Sequence, residues 1–276
     1  MVSCVRGGQT VKNKRRNRII RLLQLVLLAV VVWQLVQVGR YYLDLHQSRT
    51  AYSALEEEIQ RVQTQEATET VLQDPAQEEP APAPIQTDAV DPSAAMRLLK
   101  EKNEDAVGFI RIPEADIAYP IVQGTDNDEY LYQSFEGEYS IAGTVFMDWE
   151  NHRDFSDPNT ILYGHHMKDG SMFHNLSAFR QAAFQDTRIE IELIGEHGIA
   201  RYLVYSVYNV PQDAPYRRIH FTDAADVAAF IQETHKQSEI LFDADPTGAK
   251  QIITLSTCTP NQEEYRIAVH ALLLAE

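Results

Sequence analysis

Thr254-Leu255-Ser256-Thr257-Cys258, followed by Arg266-Ile267-Ala268-Val269-His270-Ala271-Leu272-Leu273-Leu274, is the stretch on which the reading of the fold turns. In its second half Ile267, Val269, Ala271 and Leu273 fall on one face, the period-two pattern of a half-buried strand. The first half is β-rich and ends at a thiol, where a barrel strand would leave its sheet. If the two halves form a hairpin, Cys258 and Arg266 face each other across its mouth. That would set a rigidly held thiol opposite a guanidinium, permanently charged, where an oxyanion would develop.

The same texture repeats upstream. Runs at 108–112, 117–122, 143–146, 160–163, 188–194, 202–210 and 251–255 read as strands separated by Gly, Pro, Asn and Asp. With 266–274 they make eight short strands, which suggests a mainly β domain built as a closed antiparallel barrel or a sandwich. One helix interrupts them: Asp223 caps it, Asp226 supports its first turn, and Val227, Phe230, Ile231 and Thr234 form its buried side. No internal repeat and no Gly-rich phosphate loop is present, so ATP and NAD have no seat and no cofactor is expected.

A thiol with an ordinary pKa of ~8.5 is only slightly ionised at neutrality and needs a base or cation beside it. His165 is the candidate, because it follows Tyr163-Gly164 directly after a strand and the glycine frees the backbone to aim the ring. Taken singly, each residue has an ordinary counterpart. A lone cysteine is commonly a small core residue, one histidine among nine is unremarkable, and an arginine is a salt-bridge partner. A metal site of His165, His166 and His174 is disfavoured, since neighbours on a strand point to opposite faces and no carboxylate completes a ligand set.

The N-terminus has a different character. Residues 1–40 hold eight Lys/Arg and no acid, and residues 22–39 carry no charge at all. At 1.5 Å per residue the uncharged run reaches about 27 Å, close to the ~30 Å hydrocarbon thickness. The basic cluster places 1–20 in the cytoplasm and everything after Arg40 outside. A cleaved signal peptide would have a shorter apolar core and a small-residue cleavage site, whereas this run ends Gln37-Val38-Gly39-Arg40. The division read from the sequence is a basic tail at 1–20, a transmembrane signal-anchor at 21–40, a helical stalk at 41–63, a Pro/Glu-rich linker at 64–95 and a catalytic domain at 96–276.

Beyond residue 40 there remain 16 basic and 40 acidic side chains, a balance that disfavours nucleic acid as a partner. The only cysteines are Cys4 and Cys258, on opposite sides of the anchor, which excludes a disulfide framework and leaves Cys258 unpaired.

Thr254 to Cys258, Arg266, and the earlier stretch Tyr163-Gly164-His165-His166-Met167-Lys168-Asp169-Gly170-Ser171-Met172-Phe173 together resemble the sortases, class B in particular. Val107-Gly108-Phe109-Ile110-Arg111-Ile112-Pro113, Ile117-Ala118-Tyr119-Pro120-Ile121-Val122-Gln123, Asp126-Asn127-Asp128-Glu129-Tyr130-Leu131 and Gly143-Thr144-Val145-Phe146-Met147-Asp148 extend the likeness in order. The resemblance covers about 96–276. It implies an eight-stranded sortase β-barrel with N-terminal helices and one helix before the Cys-bearing strand, here near 223–240, all preceded by a single transmembrane helix. It implies that His165, Cys258 and Arg266 are catalytic, with His166 a neighbour only, and that Asn127, Leu131, Tyr216 and Ser256 line the substrate groove.

The activity implied is cysteine transpeptidation: cleavage of a C-terminal sorting signal after Thr, a thioacyl intermediate on Cys258, and transfer of the protein to a peptidoglycan amine. The partners implied are secreted surface proteins bearing the signal and a peptidoglycan precursor, at a Gram-positive-type cell membrane. A pilus polymerase would use the same residues with a pilin lysine as acceptor, a hydrolase would let water win, and a non-catalytic wall protein would keep Cys258 as packing.

Overall fold

The computed structural model describes residues 7–72, 92–259 and 262–274. Cys4 and most of the linker expected at 64–95 lie outside the described residues. The chain divides into two compact units, Met1–Gln47 and Ser48–Glu276.

Eight strands close into one barrel: β1 (Ala106–Ile112), β2 (Ile117–Val122), β3 (Val145–Met147), β4 (Asn159–Tyr163), β5 (Glu190–Gly195), β6 (Gly198–Pro211), β7 (Ile252–Thr259) and β8 (Gln262–Leu273). Around the barrel they run β1-β2-β3-β4-β7-β8-β6-β5, and β5 pairs back onto β1. Closure removes the exposed sheet edges that an open arrangement would leave.

The sequence suggests an all-antiparallel barrel, but β2 with β3 and β4 with β7 are parallel. Parallel neighbours need long crossovers, and the chain supplies them at 123–144 and 164–251. The second crossover is long because two other strands and a helix are threaded through it. The parallel pairing of β4 with β7 is what determines where the chemistry sits.

The half-buried reading of the last strand also needs correction. Ile267, Val269 and Ala271 are buried, but so are Ala268, His270 and Leu272 on the other face. The covering layer is α3 (Ala224–Lys236) and its flanking chain. Val227 and Ile231 of α3 pack with Leu203, Tyr205, Ile252 and Leu272, and Phe221 and Phe230 pack against this cluster. Asp223 caps α3, its carboxylate accepting the Asp226 N–H at 2.9 Å.

Two further helices precede the barrel. α2 (Pro92–Lys102) begins with proline, whose missing N–H costs nothing at that position, and buries Ala95, Met96 and Leu99 against β1 and β5. α1 (Gly7–Leu72) is continuous over 66 residues. Within Met1–Gln47 its large apolar side chains between Leu22 and Val38 are exposed, and this helix is long and apolar enough to cross a membrane.

From Ser48 onward α1 belongs to the barrel unit, where Tyr52, Leu55 and Ile59 are buried. Of the helical stalk expected at 41–63, residues 48–63 thus contribute to the packing of the barrel unit. Its apolar spacing, which suggested only a helix, is the stripe that packs on the barrel unit.

Candidate active site

The parallel pairing of β4 and β7 sends both strands toward the same rim. Their register runs from Asn159 opposite Ile252 to Tyr163 opposite Ser256, and the Gly164 N–H donates to the Ser256 carbonyl at 3.2 Å. His165 lies two residues past Tyr163 and Cys258 two residues past Ser256, so matched offsets carry both out at the same end. On the other flank β7 pairs with β8, and the register sets Cys258 opposite Arg266. A shift between Cys258 and Thr259 bulges the strand immediately after the thiol, a distortion that re-aims side chains at barrel rims. The geometry thus gathers the three sequence candidates at the end of three neighbouring strands.

Cys258 is a free, half-buried thiol. Arg266 is held by the turn after β6 and by its own strand: one Nη donates to the Gln212 side-chain oxygen at 2.9 Å and the other to its neighbour's carbonyl, that of Tyr265, at 3.0 Å. Gln212 follows β6, whose last residues pair with the start of β8.

His165 is oriented by main chain. Its Nε2 lies 2.7 Å from the Leu131 carbonyl oxygen, which only accepts, so Nε2 carries a proton and Nδ1 is the nitrogen left to exchange one. Tyr132 stands beside the ring with centroids 5.6 Å apart. The Leu131 carbonyl has room because Gly143 lies behind it, with φ of 60°. A Cβ there would come within 2.5 Å of the Leu131 oxygen and 2.7 Å of that of Tyr130.

The glycine before His165 has a different reason from the one the sequence suggested. Gly164 is not in a left-handed conformation, and a Cβ on it would strike the Phe173 ring at 2.7 Å. Close packing, and not torsional freedom, requires glycine there.

His166 faces away into a pair with His174, ring centroids 4.2 Å apart. Burial first, and then the neighbouring His174, lower its pKa below the usual imidazole value. Among the described residues no group of three or more His, Cys, Asp or Glu side chains could hold a metal ion.

Of the four residues expected to line a groove, Ser256 and Tyr216 contact each other, while Asn127 and Leu131 have separate partners. Ser256 and Tyr216 are both buried and bond to each other, hydroxyl to hydroxyl at 2.9 Å. Burial raises the Tyr216 pKa, opposed by the bond with Ser256 and then by the charges of Arg217 and Arg266. Asn127 spends its side chain on the loop after β3, donating to Asp148 at 3.1 Å and accepting the Trp149 N–H at 3.1 Å. Leu131, half-buried, supplies the carbonyl already described.

Several contributors escape sequence reasoning. The Tyr163 hydroxyl donates to Asp148 at 2.7 Å, and the Arg217 guanidinium lies over the rings of Tyr163 and Tyr216 at 5.8 and 5.4 Å. Burial, together with the Asp148 carboxylate, raises the Tyr163 pKa. The Leu131 carbonyl has no signature in residue type, and nothing in the local sequence marks Gln212 as the partner of Arg266.

Comparison with known proteins adds four findings. Residues 110–274 match the Sortase domain family. The chain is 35% identical over 185 residues to Sortase B of Listeria monocytogenes, covering 66% of this chain and 74% of that protein. It is 29% identical over 262 residues to Sortase B of Staphylococcus aureus, covering 94% and 98%. Among solved structures, the Staphylococcus aureus sortase B–substrate complex superposes with a TM-score of 0.68 at 27% identity, over 84% of this chain and 98% of that one.

Proposed function

Because the chain belongs to the sortase family, within class B, and is a cysteine transpeptidase, we propose that Cys258, His165 and Arg266 carry its reaction. The Cys258 thiolate attacks the carbonyl carbon of the threonine in a C-terminal sorting signal, and a C–S bond forms. Arg266 and backbone N–H groups near the thiol hold the oxyanion. The C–N bond then breaks while His165 gives a proton from Nδ1 to the departing amine, leaving a thioacyl enzyme. An amine of the peptidoglycan stem or cross-bridge next attacks the thioacyl carbon and releases the joined product, and its proton returns to His165 as the thiolate leaves.

The observation that carries this reading is the register of β4, β7 and β8, which pairs Cys258 with Arg266 and carries His165 out beside them. The bond from Nε2 to the Leu131 carbonyl supports the assignment of Nδ1 to proton transfer. Leu131, Tyr216, Ser256 and Asn127 are proposed to shape the groove, Tyr216 and Ser256 as a mutually bonded wall and Asn127 through the loop it anchors. The exposed apolar part of α1 is proposed to be an uncleaved single-pass anchor with the basic tail cytoplasmic. Holding enzyme and membrane-borne substrate at one surface raises their effective concentration.

Intact mass measurement of the full chain after incubation with candidate sorting pentapeptides tests the assignment. The expected result is an acyl adduct on Cys258 that an added amine discharges, absent in Cys258→Ala, with kcat down about 10²-fold or more in Arg266→Lys, which keeps the charge but loses the fork. Cleavage that survives in Cys258→Ala would overturn it. Products with and without the amine separate transfer from hydrolysis, and a pilin lysine peptide tested against a cross-bridge amine identifies the acceptor.

A further inference from the structure

Two short routes lead from one side chain of α1 to His165. The Tyr52 hydroxyl donates to the Gly143 carbonyl at 2.8 Å and lies 3.3 Å from the Thr144 hydroxyl. Gly143 is the residue whose missing Cβ leaves room for the Leu131 carbonyl, and that carbonyl binds His165 Nε2. This first route ends on the imidazole.

The second route uses the ring. Tyr52 packs edge-on against Tyr119 with centroids 5.2 Å apart, and the Tyr119 hydroxyl accepts the Met172 N–H at 2.9 Å. Met172 has φ of 57°, an unfavourable conformation for a side chain with a Cβ, which holds only when its surroundings impose it. Met172 also bridges to His166, and the next residue, Phe173, donates its N–H to the His165 carbonyl at 2.9 Å. This route ends on the His165 main chain. Arg49, three residues before Tyr52 and therefore on the same helix face, grips the same loop: its Nε lies 3.0 Å from an Asp169 carboxylate oxygen, and a terminal nitrogen donates to the Asp169 carbonyl. The other Asp169 oxygen holds Ser171.

We propose that Tyr52, assisted by Arg49, is a positioning residue for His165, so that α1 from Ser48 onward acts on the reaction and does more than connect the barrel to the anchor. This rests on the assignment of His165 as the proton-transfer residue. The buried ring and hydroxyl of Tyr52 bring the two routes to one point. Misplacement of a catalytic ring by less than an ångström is costly to kcat, while Asn127, Tyr216 and Ser256 of the proposed groove lie on neither route and Leu131 enters only through its main-chain carbonyl.

The test uses the full chain in detergent, with rates expressed per Cys258 titrated by thioacyl formation so that misfolded protein drops out. Tyr52→Phe keeps the ring and removes only the hydroxyl, with its bond to Gly143 and its contact with Thr144, and Arg49→Ala releases the Asp169 loop. With the pentapeptide that acylates Cys258, each is expected to lower kcat per titrated site by about fivefold, with KM within about twofold. In a second readout, the rate of iodoacetamide alkylation of Cys258 at fixed pH should fall in Tyr52→Phe, because a displaced imidazole supports the thiolate less. Unchanged kcat per site together with an unchanged alkylation rate would overturn the proposal. His165→Ala separates the two levels: if it is inactive while Tyr52→Phe and Arg49→Ala match the unsubstituted enzyme, the brace alone fails; if it is active, the assignment of His165 fails and the brace with it.

Discussion

His270, fully buried in β8, shows how completely a single residue can be specified by its neighbours. Thr254 donates its one hydroxyl proton to the Asn159 side-chain oxygen at 2.8 Å, so it must accept from His270 Nδ1–H, also at 2.8 Å. Nε2 then accepts from the Tyr208 hydroxyl at 2.9 Å, and the Asn159 amide continues the chain to the Arg218 carbonyl at 2.8 Å. The ring is neutral with one tautomer, and burial lowers its pKa to about 3. In the unfolded chain the same group titrates near 6.5. As pH falls below that value the unfolded chain takes up a proton that the folded one refuses, so stability is complete above about pH 6.5 and declines by about 1.4 kcal/mol per unit down toward pH 3. Between pH 7 and 5 this one group is expected to remove about 2 kcal/mol, read from denaturation curves at the two pH values. His270→Gln should flatten that difference whatever it does to stability at pH 7.

At the scale of elements, α3 can be tested through its cap. Asp223→Ala removes the acceptor of the Asp226 N–H and is expected to cost about 1 kcal/mol, measurable as a lower denaturant midpoint, with kcat unchanged because α3 packs away from the rim. The eight strands and α3 were legible because alternation, β-branched runs and an acidic cap are local signals. Strand direction was not, because the parallel pairing of β4 with β7 is fixed by a crossover of nearly ninety residues that no local pattern describes. Nor was the outer face of β8, which reads as half-exposed until α3 is laid over it. For the candidate site, the thiol, imidazole and guanidinium could be picked out as residue types, but the Leu131 carbonyl could not, since every residue has one. Tyr52 carried a visible signal, an apolar residue at helical spacing. That spacing says a face is covered without saying by what, and α1 from Ser48 is covered by the loops flanking His165.

Taken whole, the molecule joins a basic, apolar N-terminal segment to an acidic β-barrel whose proposed reacting groups lie at the ends of β4, β7 and β8. Of its two cysteines one precedes the apolar segment, so the barrel unit holds a single sulfhydryl, half-exposed and among polar neighbours. Oxidants therefore meet an enzyme with no resolving partner. Peroxide should convert Cys258 to a sulfenic acid that no second thiol in the barrel can capture as a disulfide, leaving it open to the irreversible sulfinic stage. Activity lost to brief peroxide is expected to return with dithiothreitol and after longer exposure to stay lost, with mass gains of one and then two oxygens on Cys258. With the barrel on the outer face of the membrane, as proposed, the working lifetime of such an enzyme depends on reductants that its surroundings supply.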